Sequence, residues 1–160
     1  IVAGGIADGR GIAAAFALGA AGVQIGTAFL FTDESAVNPT YREALATAKS
    51  SDTAITNLFT GRPARCLVNR VMREVGPMAE AAPADPRGLA AMEPLRTKAE
   101  QAGLGDFSAH YCGQAAALAK TKTMTKTTDA AKLTRDLAAD AMSRLTSLAA
   151  SPNASGPRRR

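Results

Sequence analysis

The sequence predicts an α/β fold that opens with two parallel strands joined by a helix and continues into a mainly helical region. Residues 1–3 form an apolar run that stops at the glycine pair 4–5, and residues 23–25 form a second run that stops at Gly26-Thr27. The connection between them has the pattern of an amphipathic helix. Two strands joined in this way form a βαβ unit, so we expect them to be parallel neighbours. Their continuous apolarity is typical of a sheet that is covered on both faces.

The connecting helix has local signals at both ends. Asp8 is placed to cap it by accepting a hydrogen bond from an amide of the first turn. Small and apolar residues recur at helical spacing and form one face of this helix, which comprises Ile12, Ala15, Phe16 and Gly19. Gly19 and Gly22 bracket the turn that leads into the second strand.

A second helix is predicted from Asn38 onward, because Asn followed by Pro39 is an N-cap with Pro at the first helical position. Its apolar face comprises Tyr41, Leu45 and Ala48. Residues 53–59 are predicted to be either a short strand or an extended connection. The stretch from residue 61 leads from a turn into a helix that ends near Gly76.

The rest of the chain is predicted to form a loop and three more helices. Residues 77–88 form a loop rich in Pro and Ala, without a core-forming pattern. Pro94 begins a helix that ends at Gly103, and the last helix runs from about Asp129. Between these two, an apolar stripe predicts a helix with one face made of Phe107, Tyr111, Ala115 and Leu118. The last helix has a stripe that we expect to face the core, made of Leu133, Leu137, Ala141, Leu145 and Leu148.

The composition limits the kinds of partner that the chain is expected to have. It has 19 basic and 14 acidic residues, but three of the basic residues are the final Arg residues 158–160. Little of the positive surplus lies in the body of the chain, so no nucleic-acid partner is expected. No apolar run is long enough to span a membrane. The two Cys and one His have no metal-ligand spacing, so no metal site is predicted, and the few Cys fit a reducing cytoplasm.

The two glycine-containing strand ends are the candidate functional site. A phosphate is bound well by backbone N–H groups without a side chain in the way, and glycine permits that approach. The helix that begins near Asp8 is expected to add the positive end of its dipole, and Thr27 a hydroxyl. Two such loops after consecutive parallel strands are typical of the phosphate site of a (β/α)₈ barrel, where the loops follow strands 7 and 8. The alternative is that these glycines only form tight turns between packed elements.

Three stretches of the chain carry a family resemblance. VAGGIADGRGIAAAFALGAAGVQIGTAFL, together with FTGRPARCLVNR and YCGQAAALAK, resembles the nitronate monooxygenase family, formerly called 2-nitropropane dioxygenases. The first stretch resembles strands 7 and 8, the second resembles the segment after the barrel closes, and the third resembles a block that usually reads W-A-G-Q. Flavin-dependent enoyl-ACP reductases share the first stretch. GRPAR followed by an Asn-Arg pair favours the nitronate enzymes.

The resemblance implies the C-terminal portion of an FMN-dependent TIM barrel. Residues 1–60 would be the last βα units of the barrel, residues 61–150 a helical region that packs on or beside it, and residues 151–160 a disordered basic tail. The implied reaction is the oxidation of alkyl nitronates by molecular oxygen to carbonyl compounds and nitrite. The FMN phosphate is implied to lie against Gly4, Gly5, Gln24, Ile25, Gly26 and Thr27.

The sequence departs from the family at its catalytic residue. The family's catalytic His stands in a Gly-Gly-His segment before strand 7, which is absent from this sequence, so no catalytic residue is assigned. We therefore expect a fragment of a larger flavoenzyme, inactive alone, whose partners are a small-molecule nitronate and oxygen; an oligomer is possible. Tyr111 and Cys112 stand where the family usually has Trp and Ala. The alternatives are a flavin-dependent enoyl-ACP reductase and a non-catalytic helical interaction fragment.

Other conspicuous residues are expected to be structural. His110, the only histidine, is interpreted as a surface or half-buried helix residue. Cys66 and Cys112 are interpreted as unpaired small apolar residues. Arg62, which precedes a Pro, is interpreted as fixing a loop, with Arg65 close by, although two Arg also suit a phosphate or a carboxylate.

Overall fold

The computed structural model describes residues 1–85, 87–123 and 128–150 of the chain. The strands are β1 (Val2–Ala3), β2 (Val23–Gln24), β3 (Thr53–Thr56) and β4 (Ala64–Leu67). The helices are α1 (Gly9–Ala17), α2 (Pro39–Thr47), α3 (Arg70–Val75), α4 (Arg87–Gln101), α5 (Ala116–Thr123) and α6 (Ala130–Ala149). The predicted basic tail, residues 151–160, lies outside the described residues.

The first sheet confirms the predicted βαβ unit. β1 and β2 are parallel neighbours joined by α1, and the residues that face each other are Val2 with Val23 and Ala3 with Gln24. The Asp8 carboxylate caps α1 by accepting hydrogen bonds from the amides of Arg10 (3.0 Å) and Gly11 (3.2 Å). Two of the amides that a helix leaves unpaired in its first turn are thereby satisfied.

The predicted coverage of this sheet on both faces is wrong for the described residues. Ile1 is 91% exposed and Val2 is 41% exposed, although both are apolar. On β2, Val23 is partly buried against the larger of the two hydrophobic cores, which includes Ile12 and Leu45 and which we call the first core. A two-stranded parallel sheet cannot cover itself, since burial of both faces requires further strands or helices. β1 is therefore an apolar strand without cover among the described residues.

Helix α6 packs along α1 and helps to form the first hydrophobic core. Its capping residue Asp129 accepts a hydrogen bond from the amide of Lys132. The buried members of its predicted stripe are Leu133, Leu137 and Ala141. Towards the end of the helix the stripe is no longer buried, and Leu148 is 60% exposed. Among the described residues, no helix is both long enough and apolar enough to cross a membrane.

A second, smaller core lies around an antiparallel hairpin of β3 and β4. Thr53 faces Leu67 and Thr56 faces Ala64, so the short-strand alternative for residues 53–59 is correct at its start. The sequence pattern does not predict β4. The hairpin spans residue 60, where the sequence suggests a boundary between two units. The buried residues of this second core are Leu58, Phe59, Cys66, Val71 and Met72.

Helix α4 begins earlier than its sequence predicts. It runs from Arg87, so Pro94 lies inside the helix instead of at its start. Gly88, in the first turn, packs against the loop after β3: a Cβ atom at Gly88 would lie 2.8 Å from the carbonyl carbon of Thr60. This close approach fixes the start of α4, and it is a tertiary contact that the local sequence does not reveal.

A loop stands where the sequence predicts a helix with the stripe Phe107, Tyr111, Ala115 and Leu118. Helix α5 begins only at Ala116. Instead of making helical hydrogen bonds, the segment pairs with β4: the Leu67 amide donates to the His110 carbonyl (2.9 Å), and the Cys112 amide donates to the Arg65 carbonyl (3.2 Å). We call residues 110–113 the strap. Long-range pairing has replaced the helix that the local spacing favours.

Candidate functional site

A cleft of about 250 Å³ opens where β1 and β2 end. It is lined by Ala3, Gly4, Gly5, Ile6, Gln24, Gly26, Thr27, Gly113 and Ala115. The carboxyl ends of neighbouring parallel strands lie at the same edge of a sheet, which brings the two loops together. Five of the six residues predicted to surround a phosphate therefore line one cleft, and they are Gly4, Gly5, Gln24, Gly26 and Thr27.

The side chain of Ile25, the sixth predicted residue, does not line this cleft. It packs against the first core and lines a separate apolar groove between α1 and α6. Side chains alternate between the two faces of an extended segment, so Ile25 faces away from the side that its neighbours Gln24 and Gly26 present. Only the backbone of Ile25 belongs to the loop, and its contact with a phosphate stays a prediction.

Three glycines keep side chains out of the cleft. Gly4 and Gly5 have φ angles of 83° and 71°, in the left-handed region that residues with a Cβ atom avoid. A Cβ atom at Gly4, Gly5 or Gly26 would meet no heavy atom within 4 Å. The space beside these residues is open, so their backbone can be approached closely. An anionic oxygen that accepts hydrogen bonds from backbone amides requires such a surface.

The N-terminus of α1 does not serve the cleft, contrary to the expectation from its dipole. The Gly9 amide donates to Oδ2 of Asp140 on α6 (3.0 Å), and the amides of Arg10 and Gly11 donate to Asp8. Carboxylates of the chain itself therefore occupy the first three amides of the helix. Burial raises the pKa of Asp8, but the hydrogen bond from the Arg10 side chain and those from the two amides outweigh it and leave the pKa lowered. Asp8 is therefore ionised at neutral pH.

Thr27 brings a hydroxyl group to the cleft. It is the first residue of a 3₁₀ turn, Thr27–Phe31, that follows β2, and Gly26 caps this turn without a side-chain hydrogen bond. The Oγ1 atom of Thr27 accepts a hydrogen bond from the Gly113 amide at 2.8 Å. In barrel proteins, a short helical element after the last strands is a recurring part of phosphate sites.

Gly113 forms a wall of the cleft that sequence reasoning missed. A Cβ atom at this position would lie 3.5 Å from Thr27 Oγ1 and 3.6 Å from the Gly5 nitrogen. The strap that carries Gly113 is anchored to β4, and the Tyr41 hydroxyl donates a further hydrogen bond to the Tyr111 carbonyl. The sequence offers one signal, the glycine of YCGQ, but the local pattern does not show that this block folds back onto the strand loops.

His110 lies in a different and larger cleft of about 670 Å³, between α2 and the segment from β4 to α3. It is 4% exposed and belongs to the strap, so its interpretation as a surface or half-buried helix residue is wrong. Its ring stacks on Tyr41, with the centroids 4.7 Å apart and the planes 14° apart. Burial lowers the pKa of His110, although the charge of Glu100 acts to raise it. The imidazole is therefore neutral at pH 7, and it does not line the glycine-lined cleft.

The two cysteines and the two arginines noted in the sequence are buried or make contacts within the chain. Cys66 and Cys112 are free and buried, as expected, and burial raises the pKa of their thiols to about 12 and about 11. Arg62 forms an ion pair with Asp85, and Arg65 donates to the facing strand β3; neither lines the glycine-lined cleft. Within the described part of the chain, no group of His, Cys, Asp or Glu is arranged to hold a metal ion.

The fold and the cleft together define the class of protein. It is an α/β protein with a glycine-lined cleft at the carboxyl ends of two parallel strands, which is where such proteins bind ligands. Residues 1–152 match the model of the family described as nitronate monooxygenase. The chain therefore belongs to the nitronate monooxygenase family.

Individual relatives agree with this assignment. The nitronate monooxygenase of Pseudomonas aeruginosa is 46% identical over 121 residues, which are 75% of this chain and 34% of that protein. A probable nitronate monooxygenase of Staphylococcus saprophyticus is 39% identical over 114 residues, which are 71% of this chain and 32% of that protein. The chain thus spans about a third of the length of these curated relatives.

Solved structures also resemble the chain. The nitroalkane oxidase from Streptomyces ansochromogenes has a TM-score of 0.77 and 42% sequence identity, and the match covers 91% of this chain and 40% of that one. FabK from Thermotoga maritima has a TM-score of 0.67 and 33% identity, over 92% of this chain and 45% of its own.

Proposed function

We propose that the protein is a flavin-dependent nitronate monooxygenase in which this chain binds the phosphate end of FMN. The observation that carries the proposal is the meeting of the two glycine loops and Gly113 around one open cleft. The cleft measures about 250 Å³, whereas sites that enclose a whole small-molecule ligand measure about 300–1,000 Å³. Its size therefore suits the phosphate end of the cofactor rather than the flavin rings.

The residues that line the cleft fit a phosphate group. None of them is an Asp or a Glu that would repel an anion, and none is a Lys or an Arg. The available donors are backbone amides, the Thr27 hydroxyl and the side-chain amide of Gln24, which are neutral and directional, so we expect binding to depend only weakly on salt. When bound, FMN supplies the redox chemistry that links nitronate oxidation to the reduction of oxygen. The chain's own residues hold its phosphate and thereby fix its position.

We further propose that β1 and β2 are strands 7 and 8 of a (β/α)₈ barrel whose other strands cover β1. The exposed apolar residues Ile1 and Val2 support this, because parallel strands are ordinarily buried on both faces. The cleft residues include no side chain that titrates near neutral pH. We therefore propose that the residues in contact with the nitronate belong to the remainder of the barrel, and that the 160-residue chain alone does not turn over.

The complete gene product provides the test. It should be yellow, retain flavin absorbance through dialysis, and release nitrite from propyl nitronate and oxygen without added NADPH. The control is the present chain alone, which should release no nitrite. Absence of bound FMN, or of nitrite release, would contradict the proposed function. A strict NADPH requirement without nitrite would favour a flavin-dependent enoyl-ACP reductase.

A further inference from the structure

We propose that Gly113 is a positioning residue that directs the Thr27 hydroxyl towards the phosphate of the bound cofactor. This role concerns the same cleft and therefore depends on the proposed function. The starting observation is the hydrogen bond from the Gly113 amide to Thr27 Oγ1, at 2.8 Å, between residues that are 86 positions apart. Both residues line the cleft.

The hydrogen-bonding capacity of a hydroxyl makes this contact directional. A Thr hydroxyl has one hydrogen to donate and two lone pairs that accept. The Gly113 amide occupies one lone pair, so the hydroxyl hydrogen must point elsewhere. Among the described residues, no acceptor for that hydrogen is found. A phosphate dianion only accepts hydrogen bonds, and a Thr27 hydroxyl held in this way is prepared to donate one to it.

Glycine at position 113 is explained by the ligand and not by the backbone. Its φ angle does not lie in the positive region, so a residue with a Cβ atom would be unstrained there. The Cβ of an alanine would make ordinary contacts with the chain, at 3.5 Å from Thr27 Oγ1 and 3.6 Å from the Gly5 nitrogen. It would nevertheless lie between two donors of the cleft. A phosphate oxygen that accepts from both would have to lie in the same space.

The strap gives Gly113 a fixed position. Residues on either side of Tyr111 are hydrogen-bonded to β4, through His110 and Cys112, and the Tyr111 carbonyl accepts from Tyr41. The amide that orients Thr27 is thus held by β4 and by α2, not by the strand loops themselves. The strap can therefore set the direction of the hydroxyl before any ligand arrives, which reduces the ordering that binding requires.

The experiment compares FMN with riboflavin, which carries the same flavin rings without the phosphate, in the complete gene product. Thr27→Val should weaken FMN binding about tenfold or more, as expected for a lost hydrogen bond to a charged group. Gly113→Ala keeps the backbone amide, but its methyl group would occupy the space of the phosphate oxygen, so it should also weaken FMN binding about tenfold or more. Riboflavin binding should not change. Thr27→Ser, which keeps the hydroxyl, should retain the FMN affinity. The matched control is Gly22→Ala at the opposite end of β2, where a Cβ atom would meet only Ile1 Cγ1 at 4.0 Å.

The possible results separate this role from the function itself. If the unmodified protein binds no FMN, the proposed function fails. If it prefers FMN to riboflavin and both Gly113→Ala and Thr27→Val keep that preference, the function stands and the positioning role is overturned. Equal losses of FMN and riboflavin affinity in these variants, or a Thr27→Ser variant as weak as Thr27→Val, would also overturn it, because they would show a merely structural effect.

Discussion

At the scale of single residues, the burial of His110 makes stability depend on pH. Its pKa in the folded chain lies below the ordinary 6.5 because burial disfavours the imidazolium more than Glu100 favours it. In the unfolded chain the pKa returns to about 6.5. As the pH falls below that value, the unfolded chain binds a proton that the folded chain does not, and the free energy of unfolding decreases. The decrease stops once the pH passes below the folded pKa.

We predict that the free energy of unfolding rises from about pH 5 to about pH 7, and that His110→Gln flattens this rise, since His110 is the only histidine of the chain. Urea unfolding at a series of pH values measures the slope. The comparison uses slopes, so a uniform loss of stability in the variant does not affect it. An unchanged slope in His110→Gln would show that another group is responsible.

The capping residues show which roles can be predicted from the sequence. Asp8, Asn38 and Asp129 each accept a hydrogen bond from an amide two or three positions further on. Capping depends on such near neighbours: the sequence predicts the caps Asp8 and Asn38, and it places the start of the last helix at about Asp129 without assigning a cap. His110 and Gly113 have partners that are far away along the chain, so local spacing contains no information about their burial or their role.

At the scale of elements, α1 and α6 approach closely at Gly9. A Cβ atom there would lie 2.7 Å from the backbone nitrogen of Ala141. Because the obstacle is backbone, a rotation of a side chain cannot relieve the clash. The two helices would have to separate, and the Gly9 amide would move away from Asp140.

We predict that Gly9→Ala destabilises the fold by about 2 kcal/mol or more, the size expected for overpacking in a core together with a lost hydrogen bond. Gly22→Ala, which has space for its methyl group, is the matched control and should change stability little. Chemical denaturation of both variants gives the comparison. Equal stabilities would mean that α1 and α6 pack less closely than described.

Element prediction succeeds where the pattern is local and fails where pairing is distant. The βαβ unit, α2 and α6 follow from capping residues and apolar periodicity, and the structure has them close to the predicted positions. β4 and the strap were missed because they pair across the chain. The stripe at Phe107, Tyr111 and Ala115 satisfies helical spacing by coincidence: Phe107 packs against the second core and Ala115 belongs to the first.

At the scale of the whole molecule, the main feature to be explained is the exposure of the apolar strand β1. Val2 is 41% exposed in this chain. If β1 is strand 7 of a barrel, as proposed, the remaining strands bury Val2 in the complete gene product. A charge introduced at this position would then have no water around it.

We predict that Val2→Lys destabilises the complete gene product by about 2 kcal/mol or more, whereas Val2→Ile is tolerated. Thermal or urea unfolding measures both, and bound flavin should be lost in parallel with stability in the first variant only. A complete protein that accepts lysine at this position without loss would place Val2 at a solvated surface and contradict the barrel.

The contact between Asp140 and the Gly9 amide joins positions that lie 131 residues apart. During synthesis, Gly9 leaves the ribosome long before Asp140 has been translated. The first turn of α1 therefore stays without one of its contacts until α6 has been translated. A nascent chain that stops before α6 therefore lacks this contact, and we expect the start of α1 to take its final position only after α6 has been made.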